Sequence, residues 1–352
     1  MANIILRPGW QARERDVTDE KLYRSRRDFI RRLGLGSVAL VAAPTVLGCA
    51  KEPARSTGVS GPDGPLDTIP KNAPRQGYPA PRNGNFKVPE RPVTDRLTSA
   101  SWNNFYEFKN NSMDLKDVWP VTDKYEPFPM EIEVRGLVEK KFKMDVSDLI
   151  TSMDLEERLY RFRCVEAWSM TVPWTGFPLR KLIERCKPLS KATHVRFECV
   201  NRPDQMPGIK ASRSFYKWPY YEGLRMDEAM NDLAFVATGI YGEPLPKQNG
   251  SPLRLALPWK YGYKGPKAFV KIEFVDRRPH TFWNDLQASE YGFLSNVNPN
   301  IPHPRWSQAS EKFMQTMDDV RRIPTQLFNG YADWVGPLYP DEPTTPQKPM
   351  AR

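Results

Sequence analysis

The chain has 352 residues, of which 39% are hydrophobic and 27% are charged, as is usual for a soluble globular protein. Its net charge of +10 comes without a run of Lys or Arg in the body of the chain, which argues against a nucleic-acid-binding surface and equally suits a site for an anionic small molecule. The four cysteines form no C-x-x-C pair and only three histidines occur, which argues against a zinc site or an iron–sulfur cluster.

The first fifty residues are predicted to be an export signal. Arg26 and Arg27 precede Phe29 and an uncharged, moderately apolar run over 33–50, a pattern typical of twin-arginine signals. The run is rich in Gly and Ala and contains Pro44, so it would make a poor membrane span, and an N-terminal anchor helix is the less favoured alternative. The signal predicts a periplasmic protein exported in the folded state, which raises the expectation of a bound redox cofactor.

Cys49, at the end of this region, has two interpretations. The sequence Val46-Leu-Gly-Cys49 resembles a lipoprotein cleavage box, in which Cys49 would become the lipidated first residue of the mature protein. In the alternative, Cys49 is a small residue near an ordinary cleavage site. The sequence supports the two interpretations equally.

Composition divides the remainder of the chain. Residues 51–92 contain nine prolines, which leaves little room for regular structure and predicts a proline-rich tether or wrapping arm over 51–96. A single compact domain is expected over 97–340, followed by a tail over 341–352. Residues 1–50 form the signal region.

Alternating strand and helix patterns follow residue 97, without a visible internal repeat. They predict an α+β domain with short helices and much irregular chain. Strands are predicted over 131–136, 158–165, 194–200, 252–257 and 268–275; helices over 145–150, 176–186 and 306–317; and a turn-rich segment over 173–178.

The most informative stretch begins at Tyr160 and reads YRFRCVEAWSM. In a strand, Tyr160, Phe162 and Cys164 share one face, whereas Arg161 and Arg163 share the other. A thiol at a strand end, beside two aromatic rings and ahead of a loop, can reach a bound group. By itself the pattern decides nothing, because a single inward cysteine is more often a small buried hydrophobic residue.

The segment from Arg163 to Ser169 resembles the molybdenum-ligating cysteine segment of the sulfite-oxidase superfamily. Residues 164–179 are more similar to a bacterial periplasmic branch of that superfamily, whose members reduce methionine sulfoxide. Between about residues 97 and 335, further matching segments occur in family order: NNFYEF from Asn103, PWKYGYKG from Pro258, YGFLSNVNP from Tyr291, HPRWSQ from His303 and LFNGY from Leu327.

The resemblance implies a sulfite-oxidase-type molybdopterin-binding fold with mixed sheets. It makes the domain over 97–340 the catalytic domain, with Cys164 as catalytic residue and metal ligand and one molybdenum-molybdopterin per chain. A thiolate is a soft ligand suited to a redox-active metal, which is consistent with this role. In the superfamily the remaining metal ligands are dithiolene sulfurs of the pterin and oxo groups, so few protein ligands are needed.

The resemblance also assigns the residues that bind the pterin. Arg254 and Lys267 would supply positive charge to its phosphate, and Gly265 would let backbone N–H groups approach closely. Glu107 and the asparagines would pair with its ring donors and acceptors. The implied cofactor-binding residues are Asn103, Tyr106, Glu107, Cys199, Asn249, Arg254, Gly265, Pro266 and Lys267.

Two features depart from the family pattern. Cys199 stands where a threonine contact to the cofactor is expected, and a thiol is a weaker hydrogen-bond donor than a hydroxyl. The loop over 203–218 differs in length and sequence, so substrate entry can differ here. Cys186 and Cys199 are expected to be two buried thiols, with a disulfide between them as the alternative. The tryptophans are expected to be core residues: Trp102, Trp119, Trp168, Trp174, Trp218, Trp259, Trp283, Trp306 and Trp334.

The function implied by the resemblance is the reduction of methionine sulfoxide in oxidised periplasmic proteins. A haem-containing membrane subunit fed by the quinone pool would deliver the electrons to a monomeric catalytic subunit, and no nucleic-acid partner is expected. Another sulfite-oxidase-family oxidoreductase, acting on sulfite or on small S- or N-oxides, is the first alternative. A cofactor-free periplasmic binding or scaffold lipoprotein is the alternative from a different class.

Overall fold

The computed structural model of the protein describes residues 64–103, 105–109, 118–213 and 215–347. The predicted export signal, Cys49 and the first part of the proline-rich segment lie outside these ranges. Within them, no helix combines the length and the apolar character that a membrane span requires.

Short strands and helices, with long irregular connections, make up the described part of the chain. Helices α1–α7 are Arg96–Ser101, Val146–Thr151, Leu179–Cys186, Pro207–Ser212, Met226–Ala229, Phe282–Leu286 and Ala332–Val335, and 3-10 turns occur at Trp119–Val121, Lys247–Asn249, Gly262–Lys264, Leu327–Gly330 and Gly336–Leu338. Strands β1–β12 are Glu131–Gly136, Phe142–Asp145, Glu156–Arg163, Trp168–Pro178, His194–Cys199, Tyr221–Arg225, Phe235–Ile240, Glu243–Pro244, Arg254–Ala256, Phe269–Val275, Ser310–Met314 and Val320–Pro324.

Two mixed sheets organise these strands. The first has the order β2-β1-β10-β5-β6, in which β1 and β10 are parallel. The second follows β12-β11-β4-β7-β8, with β3 paired to β4 and β9 paired to β7, and there β11 and β4 are parallel. Mixed sheets with short helices confirm the predicted α+β class.

Most of the strands and helices predicted beyond residue 97 are present. The alternating patterns correspond to β1, β3, β5, β9 and β10, and the two earlier helical patterns correspond to α2 and α3. Asp145 caps α2 as its side chain accepts hydrogen bonds from the backbone N–H groups of Ser147 (2.7 Å) and Asp148 (3.1 Å). Local sequence signals were therefore sufficient to predict an element that contains its own capping residue or its own hydrophobic periodicity.

The prediction of a helix over 306–317 is wrong. Its central residues form β11, which pairs with β12 and, in parallel, with β4. Glu311 on this strand is fully buried and accepts hydrogen bonds from Arg163 and Arg91, both at 2.8 Å. A long-range ion cluster therefore fixes this segment, which local spacing does not reveal.

The prediction of a turn-rich segment over 173–178 is also wrong, because these residues are the second half of β4. Gly176 lies against the neighbouring strand, and a Cβ there would come within 1.9 Å of the Val236 carbonyl oxygen. Pro173 immediately precedes the stretch that pairs with β7, and Pro178 ends it. Both prolines therefore occupy positions that a strand tolerates.

Residues 64–95 form an arm with little regular structure, and several of its apolar side chains are buried with those of the sheets. Arg91 of the arm donates to Glu311 of β11 at 2.8 Å. Thr68 donates to the side-chain oxygen of Gln248 at 2.7 Å. Hydrogen bonds thus attach both ends of the arm to the body of the domain.

Candidate functional site

Cys164 lies in the tight connection between β3 and β4. The Cys164 amide donates to the Trp168 carbonyl at 2.9 Å, and the Ala167 amide donates to the Cys164 carbonyl at 3.1 Å. Ala167 has a φ of +62°, a left-handed conformation that is uncommon for a residue with a Cβ and that concentrates at functional sites. The hairpin therefore holds the cysteine in one orientation, with only 4% of the residue exposed.

Hydrogen bonds fix the position of the cysteine sulfur and its loop. The backbone N–H of Glu166 donates to Cys164 Sγ at 3.4 Å. The Val165 carbonyl accepts two hydrogen bonds, from Trp306 Nε1 and from Gln308 Nε2, both at 2.8 Å. These hydrogen bonds therefore hold the loop that carries the sulfur in one conformation.

The buried side chain of Arg163 stabilises the same connection between β3 and β4. Its side chain is fully buried and donates to Glu311 at 2.8 Å and to Gln308 at 2.8 Å. Its guanidinium also contacts the Cys164 carbonyl oxygen. This arginine is paired with a carboxylate, so its burial is compensated and its role is to hold the hairpin.

Cys164 faces a cavity whose lining includes nine aromatic side chains. A second cavity shares Phe105 and Lys267 with the first, and Gly265 lines a third beside Arg254. Pro266 lines none of the described cavities, although its carbonyl accepts the Leu255 amide and shapes this loop. Of the predicted site residues, Asn103, Tyr106, Cys164, Asn249, Arg254 and Lys267 line the first cavity, and Glu107, Cys199 and Lys267 line the second.

Two buried cations lie on the wall of the cavity. Lys267 Nζ contacts Glu107 Oε1 at 3.0 Å and the Gln248 carbonyl at 2.8 Å. Arg254 donates only to the carbonyls of Leu255 (3.3 Å) and Asn249 (3.2 Å), and no carboxylate in the described ranges lies within ion-pair distance of it. Burial lowers the pKa of Lys267 to about 8 and that of Arg254 to about 10. One carboxylate for two buried cations leaves a positive charge that a phosphate would offset.

Three buried polar atoms at this site lack a hydrogen-bond partner among the described residues: Glu107 Oε2, Asn249 Oδ1 and Trp168 Nε1. Folded proteins leave few such atoms, so each calls for an explanation. Two acceptors and one donor beside the unpaired Arg254 form a set that a pterin, with ring amides and an anionic phosphate, would satisfy. The residues present therefore fit the cofactor implied by the resemblance.

Gly250 and Gly265 allow the backbone to approach these side chains closely. Gly250 has a φ of +108°, and a Cβ there would lie 2.9 Å from Lys267 Cγ. A Cβ on Gly265 would lie 2.5 Å from the Leu255 carbonyl oxygen. Larger residues at either position would displace the segment that carries Arg254 and Lys267.

The cavity also uses residues that the sequence analysis assigned to the core. Trp168, Met170, Val172 and Trp174 alternate along β4 and all line the cavity. Their period of two, directly after the cysteine loop, is the signal that could have identified this wall. Trp168 and Trp174 belong to the buried core, as predicted, and Trp102 and Trp283 pack against it while also lining the cavity. The prediction of a core position is wrong for Trp334, which is 41% exposed.

Cys186 and Cys199 are two buried thiols without a disulfide, as expected. Burial raises the pKa of Cys199 well above its ordinary value, so the thiol stays protonated. Cys199 lines the second cavity together with Glu107 and Lys267. Cys199 therefore lies beside two of the predicted cofactor-binding residues.

Lys267 should make the stability of the cofactor-free protein depend on pH. Burial lowers the pKa of Lys267 and of Lys260 to about 8 in the folded chain, below the 10.5 of an unperturbed lysine. Below pH 8 both lysines are charged in the folded chain, so the free-energy cost of burying their charges is fully present. Above pH 8 the folded chain has released these protons, whereas the unfolded chain still binds them. The free energy of unfolding should therefore rise between pH 8 and pH 10, and Lys267→Met should remove about half of this rise.

Denaturant titrations of the cofactor-free protein at several pH values test this prediction. Lys143→Met, at an exposed position, is the matched control and should leave the slope unchanged. An unchanged slope in Lys267→Met would contradict the assignment.

Comparison with known families identifies the domain in which this site lies. The sequence model of the family described as "Oxidoreductase molybdopterin binding domain" matches residues 119–283. The matched span contains Cys164, Asn249, Arg254 and Lys267. It therefore covers the hairpin and both cations of the cavity wall.

Several bacterial proteins are similar over most of the chain. The protein-methionine-sulfoxide reductase catalytic subunit MsrP of Gluconobacter oxydans is 48% identical over 267 residues, covering 75% of this chain and 83% of that protein. MsrP of Xanthomonas campestris is 42% identical over 339 residues, covering 96% and 97%. MsrP of Burkholderia mallei is 48% identical over 263 residues, covering 74% and 77%.

Among solved structures, the sulfane dehydrogenase SoxCD of Paracoccus pantotrophus aligns with a TM-score of 0.39 and 13% identity. The alignment covers 69% of this chain and 67% of that chain. This likeness is too low to carry an argument, so the family assignment rests on the sequence relatives.

Proposed function

The chain belongs to the family of protein-methionine-sulfoxide reductase catalytic subunits, and from this membership we propose that it repairs oxidised methionine in exported proteins. It is a molybdopterin-dependent methionine sulfoxide reductase of the sulfite-oxidase superfamily, and its molybdenum-pterin cofactor matches the family description. The repair role and the periplasmic protein substrates are the parts that we propose.

The observation that carries the site assignment is the convergence of Cys164 with unpaired polar groups. The thiolate of Cys164 would ligate the metal, and Arg254 and Lys267 would bind the phosphate of one pterin per chain. Asn249 Oδ1, Glu107 Oε2 and Trp168 Nε1 would pair with the pterin ring. The bound cofactor would supply the two-electron chemistry that removes an oxygen atom from a sulfoxide.

The protein's own contribution is to position groups and to exclude water. The Glu166 amide directs a hydrogen bond to Cys164 Sγ, and the Trp306 and Gln308 donors keep the loop fixed. The aromatic walls of the cavity lower the local polarity, which strengthens the electrostatic contacts inside it.

We propose that electrons reach this subunit from a haem-containing membrane partner, MsrQ. The relatives are named catalytic subunits, which supports the existence of a second subunit. The sequence contains no C-x-x-C-H haem-attachment motif, which is consistent with a donor on another chain. Monomeric behaviour of the catalytic subunit is part of the same proposal.

The proposed compartment is the periplasm. The arginine pair Arg26-Arg27 and the uncharged run that follows support export of the folded protein by the twin-arginine pathway. Lipidation at Cys49 remains one of two alternatives for the mature N-terminus.

The test is turnover by protein purified after export from a host supplied with molybdate. We expect molybdenum, released pterin and chain in equal amounts, and reduction of methionine sulfoxide with an artificial reductant such as reduced benzyl viologen. Sulfite oxidation, measured on the same sample, should be absent or far slower. Protein empty of molybdenum, or faster turnover of sulfite, would contradict the proposal.

A further inference from the structure

The most exposed large apolar side chain in the described ranges is Phe215, with 77% of the residue accessible. The next most exposed is Leu97, at 48%. Isolated exposed apolar residues are common, so exposure alone is not evidence of a binding surface. The location of Phe215 within the loop that departs from the family pattern is what gives it meaning.

The residues that follow Phe215 are packed against the wall of the Cys164 cavity. The Tyr216 ring stacks on Tyr106 at 5.9 Å and meets Trp283 at 6.0 Å. Tyr106 and Trp283 both line the cavity that Cys164 faces. The Phe215 and Tyr216 amides both donate to the Ser212 carbonyl at 2.9 Å, which fixes the turn. Phe215 is thus presented to solvent beside an aromatic cluster that is continuous with the cavity.

The charged residues that flank Phe215 in sequence are both cationic. Arg213 and Lys217 flank it and are exposed, and no carboxylate in the described ranges lies within ion-pair distance of either. Asp285, the carboxylate that interacts with Lys217 at longer range, is already bonded to Tyr221 and His280. An incoming chain would therefore meet an apolar ring between two exposed cations that form no direct ion pair with the described residues.

We propose that Arg213, Phe215 and Lys217 form a docking surface for the peptide that flanks a methionine sulfoxide in the substrate protein. This inference rests on the proposed function, since it names the part of the substrate that lies outside the cavity. In an extended peptide each residue advances about 3.4 Å, so residues two or three positions from the sulfoxide lie about 7–10 Å from it. The docked segment carries an apolar side chain against Phe215 and an acidic side chain against Arg213 and Lys217.

The experiment compares Phe215→Ala with wild type on free methionine sulfoxide and on short peptides, driven by reduced benzyl viologen. For a peptide with Leu and Glu near the sulfoxide, we expect KM to rise about 5- to 10-fold with kcat little changed. For free methionine sulfoxide, both constants should stay within about twofold, because that substrate does not reach the rim. Leu189→Ala, which removes a side chain that is 39% exposed and lines none of the described cavities, is the matched control.

A second variant tests the charges separately. Arg213→Gln combined with Lys217→Gln should raise KM for the Leu/Glu peptide about threefold at low salt and have no effect on a Leu/Lys peptide. Equal effects on free and peptide substrates, or no effect on any substrate, would overturn the docking surface. A variant that slows turnover only when the membrane partner is the electron donor would also overturn the proposal, because the surface would then bind that partner and not the substrate. If wild type reduces no sulfoxide at all, the proposed function fails instead.

Discussion

Cys164→Ser should lose its molybdenum and at least about 10³-fold of its reductase turnover, in the range expected when a group on which the whole reaction depends is removed. A serine hydroxyl is a hard, protonated group at neutral pH and does not replace a thiolate on a soft metal. The hairpin should survive, because the bonds between Cys164 and Trp168 and between Ala167 and Cys164 use backbone atoms, and a serine Oγ can still accept the Glu166 amide. Metal analysis and methionine sulfoxide turnover of the exported protein measure both effects.

Cys186→Ser is the matched control for this experiment. Cys186 is buried to a similar degree, ends α3 and lines none of the described cavities. This variant should keep its molybdenum and its turnover while losing about 1–2 kcal/mol of stability through the buried hydroxyl. Retention of both metal and activity by Cys164→Ser would show that the site is assigned to the wrong residue.

Arg254→Met should change stability and cofactor binding in opposite directions. In the cofactor-free protein, Arg254 is a buried cation with no carboxylate of the described residues within ion-pair distance, and its guanidinium lies over the rings of Phe162 (5.7 Å) and Trp174 (5.2 Å). Methionine keeps the aromatic contacts and removes the charge, which should stabilise the empty protein by about 1–3 kcal/mol and raise its Tm by a few degrees. Loss of the charge-assisted bonds to phosphate should weaken cofactor retention about 10- to 100-fold.

Thermal unfolding of the empty protein and pterin content after dialysis measure the two effects. Arg163→Met provides the contrast, because Arg163 is equally buried but paired with Glu311 at 2.8 Å. Removing it leaves a buried carboxylate with one cation fewer, which should cost about 3–5 kcal/mol. A fall in Tm for the empty Arg254→Met protein would show that the arginine serves the fold and not an anion.

Sequence patterns predicted the elements whose signals are local. The α2 helix carries its own cap at Asp145, and β10 alternates in a way that any half-buried strand does. The predicted helix over 306–317 failed because Glu311 is held in a strand by arginines that are 148 and 220 positions away. No window of neighbouring residues contains those partners.

The sequence predicted which residues form the site better than it predicted how those residues are arranged. Resemblance assigned Arg254, Lys267, Asn249 and Glu107 individually, and the structure brings all four to connected cavities. The resemblance did not predict that Lys267 pairs with Glu107 and that Arg254 does not. This difference depends on the distances between side chains in the folded protein. The wall made by alternate residues of β4 was missed because the prolines at its centre and end were interpreted as turn signals.

The arm over 64–95 and helix α1 that follows it have a consequence for the order in which the protein is built. Gln248 Nε2 donates to the carbonyls of Pro65 (2.9 Å) and Ala100 (3.0 Å), which are 183 and 148 positions away in sequence. The ribosome makes these N-terminal residues first, yet they acquire their partners only when most of the polypeptide has been synthesised. Because Asn249, next to Gln248, lines the Cys164 cavity, this part of the cavity wall can form only after residues at least 148 positions apart have met.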